Sequence, residues 1–351
     1  MLKSIKLMPS FYKFKQIYLI AIAGLLLTAC GRSKKIDVSN IPVNVKIERF
    51  DHDFDGLRTK PMEPQAMFLI KKYGMFFADY VQRILEAGSI RDTGYFSVLR
   101  PVFAGRAYHD VKNDVDSVYP NLNKQEAELT DAFRRIKYYY PKKNLPKVYA
   151  YFSGFKAQTA VGDGYVGIGL DMFLGANSRF YPALIETFPH YVSRRFAPEY
   201  IAPKVIESIA KEDMFPESDN DKTLLSKMVY NGKILYFMDQ ILPDVPDSIK
   251  IGYTSQQLKW CTDFKSTIWA YLLEENLLYE TDDQKTNTLI GEAPFTPQLG
   301  DHNESAPKLG VWTGWQIVKE YMDKHPEITL PELMINNDAQ QILNESKYRP
   351  K

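Results

Sequence analysis

The chain has 351 residues, 45% of them hydrophobic and 13% aromatic, a composition that excludes a disordered chain and supports a sizeable core. Its 44 basic and 43 acidic residues leave a formal net charge of +1, which excludes the broad positive field of a nucleic-acid binder. Two cysteines, Cys30 and Cys261, leave the fold to rest on packing rather than on a disulfide framework.

At the amino end, Lys3, Lys6, Lys13 and Lys15 precede a short apolar run from Ile17 to Leu27. The run is shorter than the roughly 20 residues of a membrane span. It ends in Leu27-Thr28-Ala29-Cys30, the small-residue pattern of a lipoprotein signal peptide cleaved before the cysteine. Cleavage would free the Cys30 sulfur and amine for acyl chains, each buried methylene adding about 0.8 kcal/mol of membrane attachment. An ordinary secretory signal or an uncleaved anchor shares the apolar run but would leave Cys30 a bystander. Residues 1–29 are therefore expected to be a signal peptide and 30–40 a flexible leader with Arg32, Lys34 and Lys35. No Asp follows Cys30 directly and no acidic run follows it either, so the expected location is the outer membrane, facing the periplasm.

Residues 41–351 read as one domain. A first strand is expected over 43–50. Apolar residues at three- and four-residue steps predict a helix over 65–87, and Leu129, Phe133, Ile136 and Tyr140 predict another over 123–140, with Asn123 as its N-cap and Pro141 as its stop. Residues 147–152 have β character. Gly162-Asp163-Gly164 between two further β-type runs predicts a hairpin. In its second arm Val166, Ile168 and Leu170 share one face, while Gly167 and Gly169 leave the other bare, either as a ligand groove or for a tightly packed neighbour. That face, with Asp171 and Glu186, is the candidate binding site.

From residue 174 the pattern is helical but interrupted by prolines. A long apolar helix is expected over 223–242, and Thr254 with Gln257 forms a capping-box signature that opens a helix through Leu272. Cys261, beside Trp260 in that helix, is expected to be a buried thiol. Residues 291–308 carry Pro294, Pro297, Gly300 and Pro307 and read as a long loop before helices over 312–323 and 338–343. The sum is an α+β fold, predominantly helical with a small sheet.

Intact catalytic motifs are missing. The five histidines lie far apart and no HExxH pair, GxSxG elbow or phosphate-binding loop occurs. One echo is similar to gluzincin-type metallopeptidases: a glycine-bearing strand, the segment Ile185-Glu186-Thr187-Phe188-Pro189, then Asn231-Gly232 on a later helix. Glu186 would hold the place of the catalytic carboxylate, while Ile185, Pro189 and Asn231 would replace all three metal ligands. This gives a second reading, a degenerate zincin-like hydrolase without tightly bound zinc.

Several stretches together resemble the GldB gliding-motility lipoproteins of Bacteroidetes. They are residues 133–141, Tyr151-Phe152-Ser153-Gly154-Phe155, residues 167–175 and 232–239, Ile251-Gly252-Tyr253-Thr254, Ala293-Pro294-Phe295 and Gly314-Trp315-Gln316-Ile317-Val318. The resemblance spans nearly the whole chain after Cys30. It implies an envelope lipoprotein associated with the gliding machinery and type IX secretion, tethered to the membrane at Cys30 and working within a protein complex. It carries over no catalytic residue and no cofactor.

Overall fold

The computed structural model describes residues 36–218, 220–297, 299 and 304–351. The expected signal peptide, Cys30, the leader up to residue 35 and His302 lie outside the described residues. Residues Val38–Lys351 form one compact unit.

Strand β1 covers only Ile47–Arg49, and helix α1, Phe50–Thr59, starts immediately after it. The expected strand over 43–50 is thus shorter than the sequence suggested. Phe50, Phe54 and Leu57 recur at helical spacing and are buried, and Asp51 and Asp53 sit in the first turn, where the helix dipole favours anions. The expected helix over 65–87 is also divided. Helix α2 runs over Met62–Tyr73, and Gly74 then takes φ +52°, which glycine adopts without steric penalty. A short helix Met75–Asp79 and a π turn Tyr80–Ile84 follow.

Helices α3, Tyr95–Ala104, and α4, Arg106–Val118, were not expected from the sequence. The first carries an internal Pro101, and the second buries only Val115. Helix α5, Asn123–Tyr139, falls where its stripe indicated, but Leu122 occupies the N-cap position and Asn123 is the first helical residue.

Strands β2 (Lys147–Tyr151), β3 (Thr159–Gly162) and β4 (Tyr165–Gly169) complete a sheet of order β1-β2-β4-β3. The first three of these neighbours run parallel, and β3 returns antiparallel to β4 as the hairpin pattern indicated. Gly164 turns it with φ +73°. The sheet separates two apolar layers. On one side Val148, Ala150, Val166 and Ile168 join the large helical core. On the other, Tyr149, Tyr151 and Tyr165 pack with Phe50, Phe54, Phe76 and Tyr80 in an aromatic cluster. The hydroxyls of Tyr73, Tyr80 and Tyr165 donate to Asp53, the Phe152 carbonyl and Asp79 at 2.6, 2.9 and 2.7 Å, so these rings are buried with their polar ends satisfied.

The remainder is helical. Helices α6 (Ile201–Ile209), α7 (Leu224–Ile241), α8 (Ser255–Asp263), α9 (Lys265–Glu274), α10 (Asp283–Ile290), α11 (Leu309–Lys324) and α12 (Ala339–Ser346) follow in order, joined by shorter turns. The capping box of α8 forms as read, with Gln257 N donating to Thr254 Oγ1 at 3.1 Å and Thr254 N to Gln257 Oε1 at 2.9 Å. The helix it opens ends at Asp263, and α9 resumes at Lys265. Cys261 is fully buried, and burial pushes its thiol up to about 12.

The tightest seam joins α7 to α11. A Cβ at Gly232 would lie 2.4 Å from the Gly314 carbonyl, and one at Gly314 would lie 1.9 Å from the Met228 carbonyl oxygen. Two backbones therefore touch where only hydrogen fits. Beside this contact Trp315 is fully buried, and its Nε1 donates to Asp239 Oδ2 at 2.8 Å. Gly314→Ala is expected to cost at least about 3 kcal/mol by overpacking, read from urea unfolding midpoints; a loss under about 1 kcal/mol would show that the seam yields.

Candidate functional site

The bare glycine face of β4 is covered by the chain itself. A Cβ at Gly167 would meet the Tyr151 ring at 2.8 Å and the Phe76 ring at 3.1 Å, and one at Gly169 would lie 2.3 Å from the Ala157 carbonyl oxygen. Of the two sequence alternatives, the structure therefore has close packing there, with rings and a loop rather than a helix. Asp171 is fully buried just beyond the strand. It accepts from Ser153 N at 2.8 Å, Ser153 Oγ at 3.0 Å and Phe155 N at 2.7 Å. Burial raises its pKa, while these donors to the carboxylate act in the opposite direction. Asp171 thereby clamps the loop that follows β2.

Glu186 is elsewhere. It lies in an exposed turn after the 3-10 turn Tyr181–Leu184, beside Ile185, which is 57% exposed. The helix that the gluzincin echo requires at 185–189 is not formed, and a zincin-like arrangement of Glu186 with Asn231 does not result. Asn231 instead donates to the Lys227 carbonyl one turn back along α7 at 2.9 Å.

A polar pocket of about 230 Å³ does occur, beside α6. Its charged lining comes from distant stretches of chain: Arg195 after the short helix His190–Ser193, Lys204 and Glu207 on α6, Lys250 in the short helix Asp247–Ile251, and Glu292 and Lys308 from the two ends of the long loop. Glu207 lies between Lys204 at 3.1 Å and Lys211 at 2.9 Å. Burial opposes its charge, but the two lysines prevail and hold its carboxyl well below the usual carboxylate value. Such a group is a permanent anion at neutral pH rather than a proton carrier.

Arg195 and Lys308 share Glu292. The guanidinium makes a two-pronged contact at 3.0 and 2.9 Å, and Lys308 Nζ reaches Glu292 Oε1 at 2.8 Å. Burial again opposes ionisation of Glu292, and Lys308 and Arg195 bring its pKa to about 2. Lys308 is itself lowered, because its desolvation outweighs the attraction of Glu292. Its Nζ also donates to the Ile251 carbonyl at 2.8 Å. Gly252, with φ +77°, completes this wall: a Cβ there would stand 2.5 Å from Arg195 Nη1. The glycine thus supplies both the left-handed turn and the room for the guanidinium.

Sequence reading missed these charged lining residues. The one local trace was a polar stripe, Lys204, Glu207 and Lys211, at three- and four-residue spacing in an otherwise apolar helix. The others are single charges, in irregular segments or one short helix, that only the fold brings together.

Asp51, His52 and Asp116 form a second cluster, with ligand-type atoms within 4.8 Å of one another. Arg49 already fills its centre, bonding Asp51 at 2.7 to 3.1 Å and reaching Asp116 at 3.3 Å, while Lys112 holds the other Asp116 oxygen. These cations oppose a divalent ion, and the network fastens β1 and α1 to α4.

The Glu292 pairing has a pH signature. Its contribution to stability is fully present above the unfolded glutamate value of about 4.3 and is lost as pH falls through about 2. Wild type is therefore expected to exceed Glu292→Gln in thermal midpoint at pH 7, with the gap closing between those two values. A gap that stays constant down to pH 2 would contradict this assignment.

No curated protein and no solved structure matches the chain. The family model described as Gliding motility protein GldB matches residues 31–350, nearly the whole length. On that coverage, the chain belongs to the family of the gliding motility protein GldB.

Proposed function

We propose that this protein is an envelope lipoprotein, anchored through acyl chains on Cys30, that serves gliding motility as a non-enzymatic binding or structural component. In this reading it sits on the outer membrane, faces the periplasm, and works in a complex allied to type IX secretion. The observation that carries the proposal is the family match, which begins at residue 31, directly after the Leu27-Thr28-Ala29-Cys30 cleavage pattern. Among the described residues no helix is long and apolar enough to cross a membrane.

Three of the buried polar groups support a non-enzymatic role. Asp171 is engaged by three donors and Glu207 by two lysines, and the Cys261 thiol is raised to about 12. None is poised to exchange a proton or attack a substrate at neutral pH. The hydrolase reading drew on Glu186 or Asp171; Glu186 lies in an exposed turn and Asp171 is held by Ser153 and Phe155.

The test is labelling of cells with radioactive palmitate, combined with rescue of a deletion strain. The wild-type protein is expected to take the label and restore gliding. Cys30→Ala is expected to take none, to appear in the soluble fraction, and to leave the strain non-motile. An unlabelled wild-type protein would overturn the anchor, and a deletion strain that glides and secretes normally would overturn the role.

A further inference from the structure

The pocket beside α6 has more positive than negative charge on its walls, and its positive groups are already ordered. Arg195, Lys204 and Lys308 face it with Glu207 and Glu292. Lys250 also borders it, but its ammonium is committed to Asp239 at 2.7 Å and Asp247 at 3.3 Å. Lys211 adds a second cation to Glu207. The Arg195 side chain is only 16% exposed, and its Nε is buried with no hydrogen-bond partner among the described residues, since both Nη atoms serve Glu292. A buried N–H without an acceptor is a standing cost. The remaining lining is mixed, with Val192, Phe196, Met238 and Ile249 beside Gln158 and Tyr200.

From this combination we infer that the pocket binds a small organic monocarboxylate with an apolar body. The carboxylate meets the Arg195 and Lys204 side, where positive charge exceeds negative, and the hydrocarbon lies against Phe196 and Met238. Glu207 and Glu292 remain ionised and keep the cations in place, so they reject a second negative charge on the ligand. The volume of about 230 Å³ limits the ligand to a small molecule. This binding goes beyond the proposed envelope role and does not depend on Cys30, so its failure would leave palmitate labelling and motility unaffected.

The experiment is isothermal titration of the full chain in detergent at low salt. The probes are hexanoate, hexylamine with the same body and opposite charge, and inorganic phosphate. Hexanoate is expected to saturate a single site and raise the thermal midpoint, with no saturable binding of the other two. Lys204→Gln alters a side chain that is 36% exposed, and is expected to weaken hexanoate binding at least about tenfold while leaving the fold intact by circular dichroism. Arg195→Gln is expected to do the same. No saturation by about 10 mM hexanoate, unchanged affinity in both variants, or preference for phosphate or hexylamine would each overturn the inference.

Discussion

Backbone contact between α7 and α11 is the constraint on which the helical body depends. Gly232 and Gly314 bring the two helices closer than any side chain permits, and the surrounding residues are arranged to exploit it. Trp315 fills the space beside the contact, and Asp239 accepts its indole N–H. Asp239 also receives Lys250 at 2.7 Å, and Lys319 lies 3.7 Å from the Trp315 ring centroid and 3.2 Å from Asp247. A small, partly buried set of charges is thus paired within itself, which is how the one buried member, Lys250, is tolerated. Apolar residues of both helices, among them Met228, Leu235, Ile317 and Val318, extend the seam into the main core.

That seam positions everything nearer the sheet. Helix α6 packs between α7 and strands β3 and β4, with Ser208 Oγ and Thr159 Oγ1 at 2.7 Å. With one face of α6 held there, Lys204 and Glu207 face the pocket, and Lys211, in the π turn Ala210–Met214 that continues the helix, pairs with Glu207. The far wall is set by the turn at Gly252 and by Lys308, the residue before α11, so α11 fixes one cation of the pocket directly. On the opposite side of the sheet the aromatic layer around Phe50, Phe76 and Tyr151 plays the corresponding part for the N-terminal helices.

The sequence was most legible where a signal is local. The hairpin at Gly162–Gly164, the capping box of Thr254 and Gln257, and the stripe of α5 depend on residues within a few positions of one another, and each formed as read. Element ends were less legible. Gly74 divides an apolar pattern that continues through it, and the stripe of Tyr108, Val111, Val115 and Val118 along α4 was passed over. The glycine face of β4 was visible as a gap, but its occupants, Tyr151, Phe76 and the Ala157 carbonyl, come from other segments. The same limit explains the candidate site. Glu186 drew notice through its surroundings in sequence, whereas Glu207, Arg195, Glu292 and Lys308 acquire meaning only through contacts spanning up to 97 positions. Several segments that carried the family resemblance, around Gly232, Gly252 and Gly314, prove to be places of close packing, which accounts for a recognisable sequence without a recognisable chemistry.

The central claim is that the α7–α11 seam is the most stable part of the molecule and the frame for the rest. Native-state hydrogen exchange followed by mass spectrometry tests it most directly. Peptides spanning 228–238 and 311–321 should exchange last, at the rate of global unfolding, well after those from α4 and α12. Exchange in the seam as fast as in those peripheral helices would contradict the account.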